Sequence, residues 1–178
     1  MTALRQAGSL LALCSLVACI GASEPDRAEV RARPVAVADA SVARAEQPVR
    51  PEFVAAGEGD ADAVVRRALQ AAQAQERRLV VYVGATWCEP CQAFHEALER
   101  GELDQALAGV RLVEFDSDRD GPRLESAGYA GRYIPRFVVP QADGRASARR
   151  IEGGIKGPGA VAHIMERLGP MLAQAGEP

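Results

Sequence analysis

The sequence predicts an α/β fold, a small central mixed β-sheet flanked by helices on both faces. Three observations predict it. Leu79-Val80-Val81-Tyr82-Val83 is a continuous apolar, β-branched run, the pattern of a central strand buried on both faces. Strand-like and helix-like segments alternate after it, which implies parallel strands joined by right-handed crossovers. Ala142-Asp143-Gly144 then joins two further runs as a hairpin turn and adds an antiparallel strand.

Composition permits this fold and excludes some functions. The chain has 178 residues, enough for one domain of ordinary size and a tail. Aromatics are only 4% of it, so the core must rest on Val, Leu, Ile and Ala. A net charge of -3, with no Lys/Arg cluster following a strand or paving a helix face, argues against a nucleic-acid partner.

The N-terminus reads as a targeting segment. Arg5 precedes an apolar stretch from Ala7 to Ala18 that is too short to span a bilayer, which takes about 20 apolar residues. Leu16-Val17-Ala18-Cys19 resembles the lipobox of bacterial lipoproteins. The resemblance implies cleavage of a signal peptide, residues 1–18, and lipidation of Cys19. Cys14 would be discarded, leaving Cys88 and Cys91 as the thiols. Residues 19–52 carry scattered proline and charge without an apolar period, and read as a disordered tether.

The folded domain is expected over residues 53–178. Asp60 or Asp62 caps a helix running to about Arg78, with Val64, Val65, Ala68, Leu69 and Ala72 on one face. The strand at 79–83 follows, then a loop from Gly84 to Trp87 and a helix from Glu89 to Arg100 closed by Gly101. A short helical turn, Glu102 to Ala108, leads to a strand from Val110 to Phe115. After a turn-rich loop comes a short helix, Arg123 to Ala127. Arg136–Val139 and Ala146–Ile151 form the hairpin strands. The last helix starts after Pro158 and buries Val161, Ile164, Met165, Leu168 and Leu172, with Pro170 bending or ending it. The order is helix, strand, helix, strand, helix, strand, strand, helix.

Within this frame Cys88 and Cys91 sit two residues apart, where a strand ends and a helix begins. Such a pair serves as half of a zinc site, as a structural staple or as a redox centre. Zinc wants four ligands, and after processing two Cys and two His remain, so no metal site is expected. His163 falls on the helix side away from the apolar stripe, towards solvent. A disulfide closing so small a ring adds little loop-entropy stabilisation. At the start of a helix, unpaired N–H groups and the helix dipole favour an anion, so the Cys88 thiol should be acidified and nucleophilic. Cys91, one turn on, should lie deeper and resolve the mixed disulfide. Pro90 falls in the first helical turn, where a missing N–H costs nothing.

Trp87-Cys88-Glu89-Pro90-Cys91 at this junction resembles the active site of the thioredoxin family. The similarity covers about residues 60 to 172. It continues through Phe115-Asp116, Tyr129, Arg132, Ile134-Pro135 and Asp143-Gly144. It implies a thioredoxin-like fold, with Cys88 and Cys91 as the catalytic residues and as a redox-active disulfide. It also implies that Pro135 is cis and faces the cysteines, and that Trp87, Ile134 and Pro135 contact the substrate.

Two departures bear on the chemistry. The family often carries a buried Asp where this chain has Tyr82, so the usual proton acceptor for the resolving cysteine is absent. His95 lies four residues after Cys91 on the same helical side, either as a replacement acceptor or as a solvent-facing histidine beside Phe94 and Leu98. Glu89 stands where many members have Gly; its carboxylate should oppose thiolate formation and lean the pair towards reduction. Pro90, Glu89 and His95 are thus the expected modulators of the thiols.

The expectation is a thiol–disulfide oxidoreductase of the bacterial envelope, reducing client disulfides without an organic cofactor. It would be lipid-anchored, facing the periplasm, with the outer membrane favoured because Ile20 rather than Asp follows Cys19. Its partners would be oxidised or reduced client proteins and a membrane thiol–disulfide electron donor. It is expected as a monomer, since no dimerisation segment is evident. The alternatives are an oxidase or isomerase of disulfides, or a copper- or zinc-handling module using Cys88, Cys91 and His95.

Overall fold

A computed structural model describes residues 49–174. The signal peptide, Cys14, Cys19 and nearly all of the tether lie outside the described residues. Five strands form one sheet: β1 (Glu52–Ala55), β2 (Arg78–Gly84), β3 (Val110–Asp116), β4 (Arg136–Pro140) and β5 (Ala146–Glu152). Four helices accompany them: α1 (Ala61–Gln73), α2 (Glu89–Glu99), α3 (Gly121–Ser126) and α4 (Ala160–Ala173).

The sheet order is β1-β3-β2-β4-β5. β1 and β2 both run parallel to β3, while β4 is antiparallel to β2 and β5 antiparallel to β4. This is the mixed sheet expected from the alternating pattern and the late hairpin. β2 is central, and its residues from Leu79 to Gly84 are all buried. Its side chains divide between two cores, as the period of a strand requires. Val80 and Tyr82 pack under α2 and α4 with Phe94, Phe137, Ile164 and Leu168. Leu79, Val81 and Val83 pack under α1 and α3 with Val65, Phe115 and Leu124.

The structure corrects the sequence expectation at four places. β1 was not expected. It is a four-residue edge strand behind Pro51, too short to show a period, and its pairing with β3 defines it. β1 places Glu52, one residue ahead of Phe53, in the sheet. The Val49 carbonyl accepts from Gly109 N–H at 2.8 Å, and Arg50 pairs with Asp104 at 2.6 Å. Next, α1 stops at Gln73 and not near Arg78, because the chain must reverse into β2, through Glu76 at a positive φ of 55°. The segment after α2 forms successive turns and no helix. Finally, Pro170 does not end α4, which continues to Ala173 with Met171 and Leu172 buried beyond it. Packing of this apolar face outweighs the loss of one helical hydrogen bond.

Candidate active site

The site is assembled where β2 delivers its C-terminal end to α2. Cys88 is the N-cap residue of α2, with extended backbone, and its Sγ accepts the Cys91 N–H at 3.3 Å. A sulfur here occupies the place where helix starts bind anions, before N–H groups that have no carbonyl partner. Pro90 sits in the first turn, where it sacrifices no hydrogen bond. Cys88 and Cys91 are joined as a disulfide with Cα atoms 5.2 Å apart. Both are nearly enclosed, at 4% and 2% exposure, so the expected contrast in depth is slight in this oxidised form.

The Ile134–Pro135 peptide bond is cis, and Pro135 is buried. A glycine loop closes on it: Gly153 N–H donates to the Pro135 carbonyl at 2.8 Å. A Cβ on Gly154 would stand 2.9 Å from the Pro90 Cβ, closer than a side chain would allow, and 3.5 Å from the Pro135 Cδ, an ordinary van der Waals contact. Three large apolar side chains on the segments that flank the site are exposed: Trp87 before Cys88, Tyr133 before Ile134 and Ile155 after Gly154. Trp87 is 67% exposed, held by its Nε1–H donating to Asp118 Oδ2 at 2.7 Å. Trp87, the neighbour of Cys88, lines a groove of about 310 Å³ with Asp118, Ile134 and Arg136 among others.

The modulating residues are placed less simply. Glu89 is exposed, but its Oε1 accepts the Gly157 N–H at 2.8 Å, tying the first residue of α2 to the glycine loop. His95 is half-buried rather than solvent-facing. Its Nε2 lies 3.0 Å from Glu114 Oε1 on β3, and its ring packs edge-on to Phe53 at 4.5 Å. His95 and Glu114 line a cleft of about 510 Å³ with Ala85, Thr86, Gln92 and Asp116. His163 is also half-buried, with its helix against the sheet.

Tyr82 fills the core beneath α2. Its ring meets Phe53, Phe94 and Phe137 at centroid distances of 5.3, 5.9 and 5.2 Å. Burial, and secondarily the Glu114 carboxylate, push its hydroxyl pKa far up, so it keeps its proton. Tyr82 and Glu114 are register partners on neighbouring strands. A carboxylate at position 82 would therefore stand beside another.

The copper or zinc alternative needed Cys88, Cys91 and His95 to converge. Among the described residues no group of three or more His, Cys, Asp or Glu side chains is arranged to hold a metal ion. Sequence reasoning missed Glu114, Asp118, Arg136 and Glu152. Two of them left a signal: Glu114 interrupts an apolar strand, and Arg136 opens one.

Residues 60–142 match the profile of a family described as thioredoxin-like. Thioredoxin Asp f 28 of Aspergillus fumigatus is 36% identical over 76 residues, which are 43% of this chain and 66% of that thioredoxin. The chain thus spans just under two thirds of that relative's length. Thioredoxin O2 of Arabidopsis thaliana, in its oxidised state, aligns with 71% of this chain and 96% of its own at 20% identity and a TM-score of 0.44. A disulphide isomerase of Xylella fastidiosa Temecula1 aligns with 67% of this chain and 94% of its own at 23% identity and a TM-score of 0.45. Residues 60–142 are thus similar to a thioredoxin-like domain, and the five-stranded mixed sheet has the thioredoxin-like α/β fold.

Proposed function

We propose that this protein is a thiol–disulfide oxidoreductase that reduces disulfides in client proteins of the bacterial cell envelope. The observation that carries the reading is the Cys88–Cys91 disulfide at the start of α2, with Cys88 Sγ already accepting a backbone N–H. The same N–H stabilises the thiolate once the pair is reduced.

The reaction begins with the reduced pair. The Cys88 thiolate attacks a client disulfide, a Cys88–client bond forms, and the other client sulfur leaves as a thiolate that takes a proton from water. Cys91 then loses its proton and attacks Cys88 Sγ. The second client sulfur leaves, and the Cys88–Cys91 bond remains. Two electrons have passed to the client, so a thiol donor must reduce the pair before the next cycle. His95, backed by Glu114, accepts the Cys91 proton in this reading. Trp87, Ile134 and Pro135 receive the client, and the exposed apolar rim of Trp87, Tyr133 and Ile155 suits a protein surface better than a small disulfide. The envelope location, the lipid on Cys19 and the membrane electron donor rest on the Leu16–Cys19 motif and the tether alone.

Trapping tests the proposal. In the Cys91→Ser variant the first step proceeds and the second cannot. Client proteins should accumulate on Cys88 as adducts released by dithiothreitol, and they should vanish when Cys88 is also replaced. No such adducts from an envelope extract, together with no reduction of insulin by the parent protein, would sink the reading.

A further inference from the structure

Arg136 is the first residue of β4 and follows Pro135 directly. A guanidinium is among the groups least suited to burial, yet only 3% of this one is exposed. Its Nη1–H donates to the Tyr129 carbonyl at 2.7 Å, and its Nη2–H donates to the Tyr133 carbonyl at 2.9 Å. One planar fork therefore ties both ends of the loop that leads into Ile134. Its Nε lies 3.6 Å from Glu152 Oε1, beyond hydrogen-bond reach, and has no other partner.

Glu152 continues the lattice. It is the register partner of Arg136 on β5. Its Oε2 accepts the backbone N–H groups of Arg132 and Tyr133 at 3.2 and 3.4 Å. Its own carbonyl accepts from Arg167 Nη1–H at 2.9 Å, and Arg167 Nη2–H donates to the Gly153 carbonyl. Gly131 makes room for the fork. A Cβ there would lie 2.5 Å from Cζ, Nε and Nη2 of Arg136, so the guanidinium lies flat against this loop backbone.

Stability does not explain the arrangement. A buried ion pair is weak evidence for stability, because an apolar residue of similar volume often replaces it without loss. A side chain of another kind could fill the space. It could not hold two carbonyls while a register partner holds two N–H groups of the same loop. That loop ends in the exposed Tyr133 and in Ile134, which lines the groove with Trp87.

We infer that Arg136 and Glu152 are positioning residues, which hold the Arg132–Ile134 backbone and the Tyr133 ring in the shape that receives an extended client segment. They act on client affinity through this loop and do not touch the sulfurs. The inference rests on the oxidoreductase reading and names what sets its preference for protein clients. A small disulfide, which reaches Cys88 without lying along the loop, gains little from the clamp. Preorganising the loop lowers the ordering cost of binding, and its loss appears in KM more than in kcat.

The test compares insulin with hydroxyethyl disulfide as substrates, with dithiothreitol as donor. Arg136→Lys keeps the charge but loses the fork. Gly131→Ala keeps Arg136 and displaces its guanidinium. In each variant the ratio of insulin kcat/KM to the hydroxyethyl disulfide rate constant should fall about tenfold, mainly through KM. Circular dichroism and thermal melting establish folding first. If a folded Arg136→Lys keeps the ratio within about twofold of the parent, the inference is overturned. If Arg136→Lys does not fold, Gly131→Ala decides by the same threshold. A parent that reduces neither substrate overturns the oxidoreductase reading, and this inference falls with it.

Discussion

Replacing Tyr82 by Phe should stabilise the domain and leave its redox cycle running. Tyr82 is fully buried, and its hydroxyl has no hydrogen-bond partner among the described residues. A buried, unpaired hydroxyl costs about 1–3 kcal/mol in lost hydration. Deleting it also forfeits the contacts of one oxygen. That atom lies tightly against the backbone, only 2.5 Å from where a Cβ on Gly84 would sit. A few such contacts are worth about 0.5 kcal/mol together. The net gain is therefore about 1 kcal/mol, or about 3–5 °C in Tm for a domain of this size. The ring remains to pack against Phe53, Phe94 and Phe137.

The pH dependence supplies a second readout. Burial raises the folded pKa of Tyr82 above its unfolded value of about 10. The unfolded chain then releases this proton first as pH rises. The contribution of Tyr82 is complete below about pH 10 and declines above it, because ionisation favours the unfolded state. Tyr82→Phe should flatten that alkaline decline. The assay is thermal and urea unfolding of the oxidised protein at neutral pH and above pH 10, beside insulin reduction. A variant that melts about 2 °C or more below the parent would refute the reasoning, since the hydroxyl would then be contributing a bond. A loss of insulin reduction would refute the view that this hydroxyl takes no part in proton transfer.

Two further predictions concern the thiols. In reduced His95→Ala, the pH profile of Cys91 alkylation should change, because the acceptor held by Glu114 is gone; an unchanged profile would exclude His95 from the proton route. Glu89→Gln should raise the redox potential of the Cys88–Cys91 pair by about 5–20 mV, a small effect because the carboxylate is exposed. Equilibration with glutathione buffers measures it, and a potential that stays level or falls would show that Glu89 does not oppose the thiolate.

Much of the fold was legible because its signals are local. The apolar run in β2, the hairpin turn and the face of α4 each declare themselves within a few residues. The cysteine pair at a strand–helix junction was legible for the same reason, as were Pro90 in the first turn and Ile134-Pro135 before β4. β1 was not legible, because four residues behind a proline carry no period and a partner strand must define them. The end of α1 was not either, since the reversal into β2 decides it and not the helix propensity of Arg77 or Arg78.

The side chains around the site divide in the same way. The sequence by itself placed two cysteines and Pro90 at a helix start, and the resemblance pointed to Pro135. Tertiary structure decided what surrounds them. Glu89 meets Gly157 across 68 positions of chain, Trp87 meets Asp118 across 31, and Arg136 meets Tyr129 across 7. His95 meets Glu114 only because α2 lies over β3. A strand or helix pattern records which face a residue occupies. It does not record which distant charge will stand opposite, because that depends on strand order and register, which only the folded chain sets.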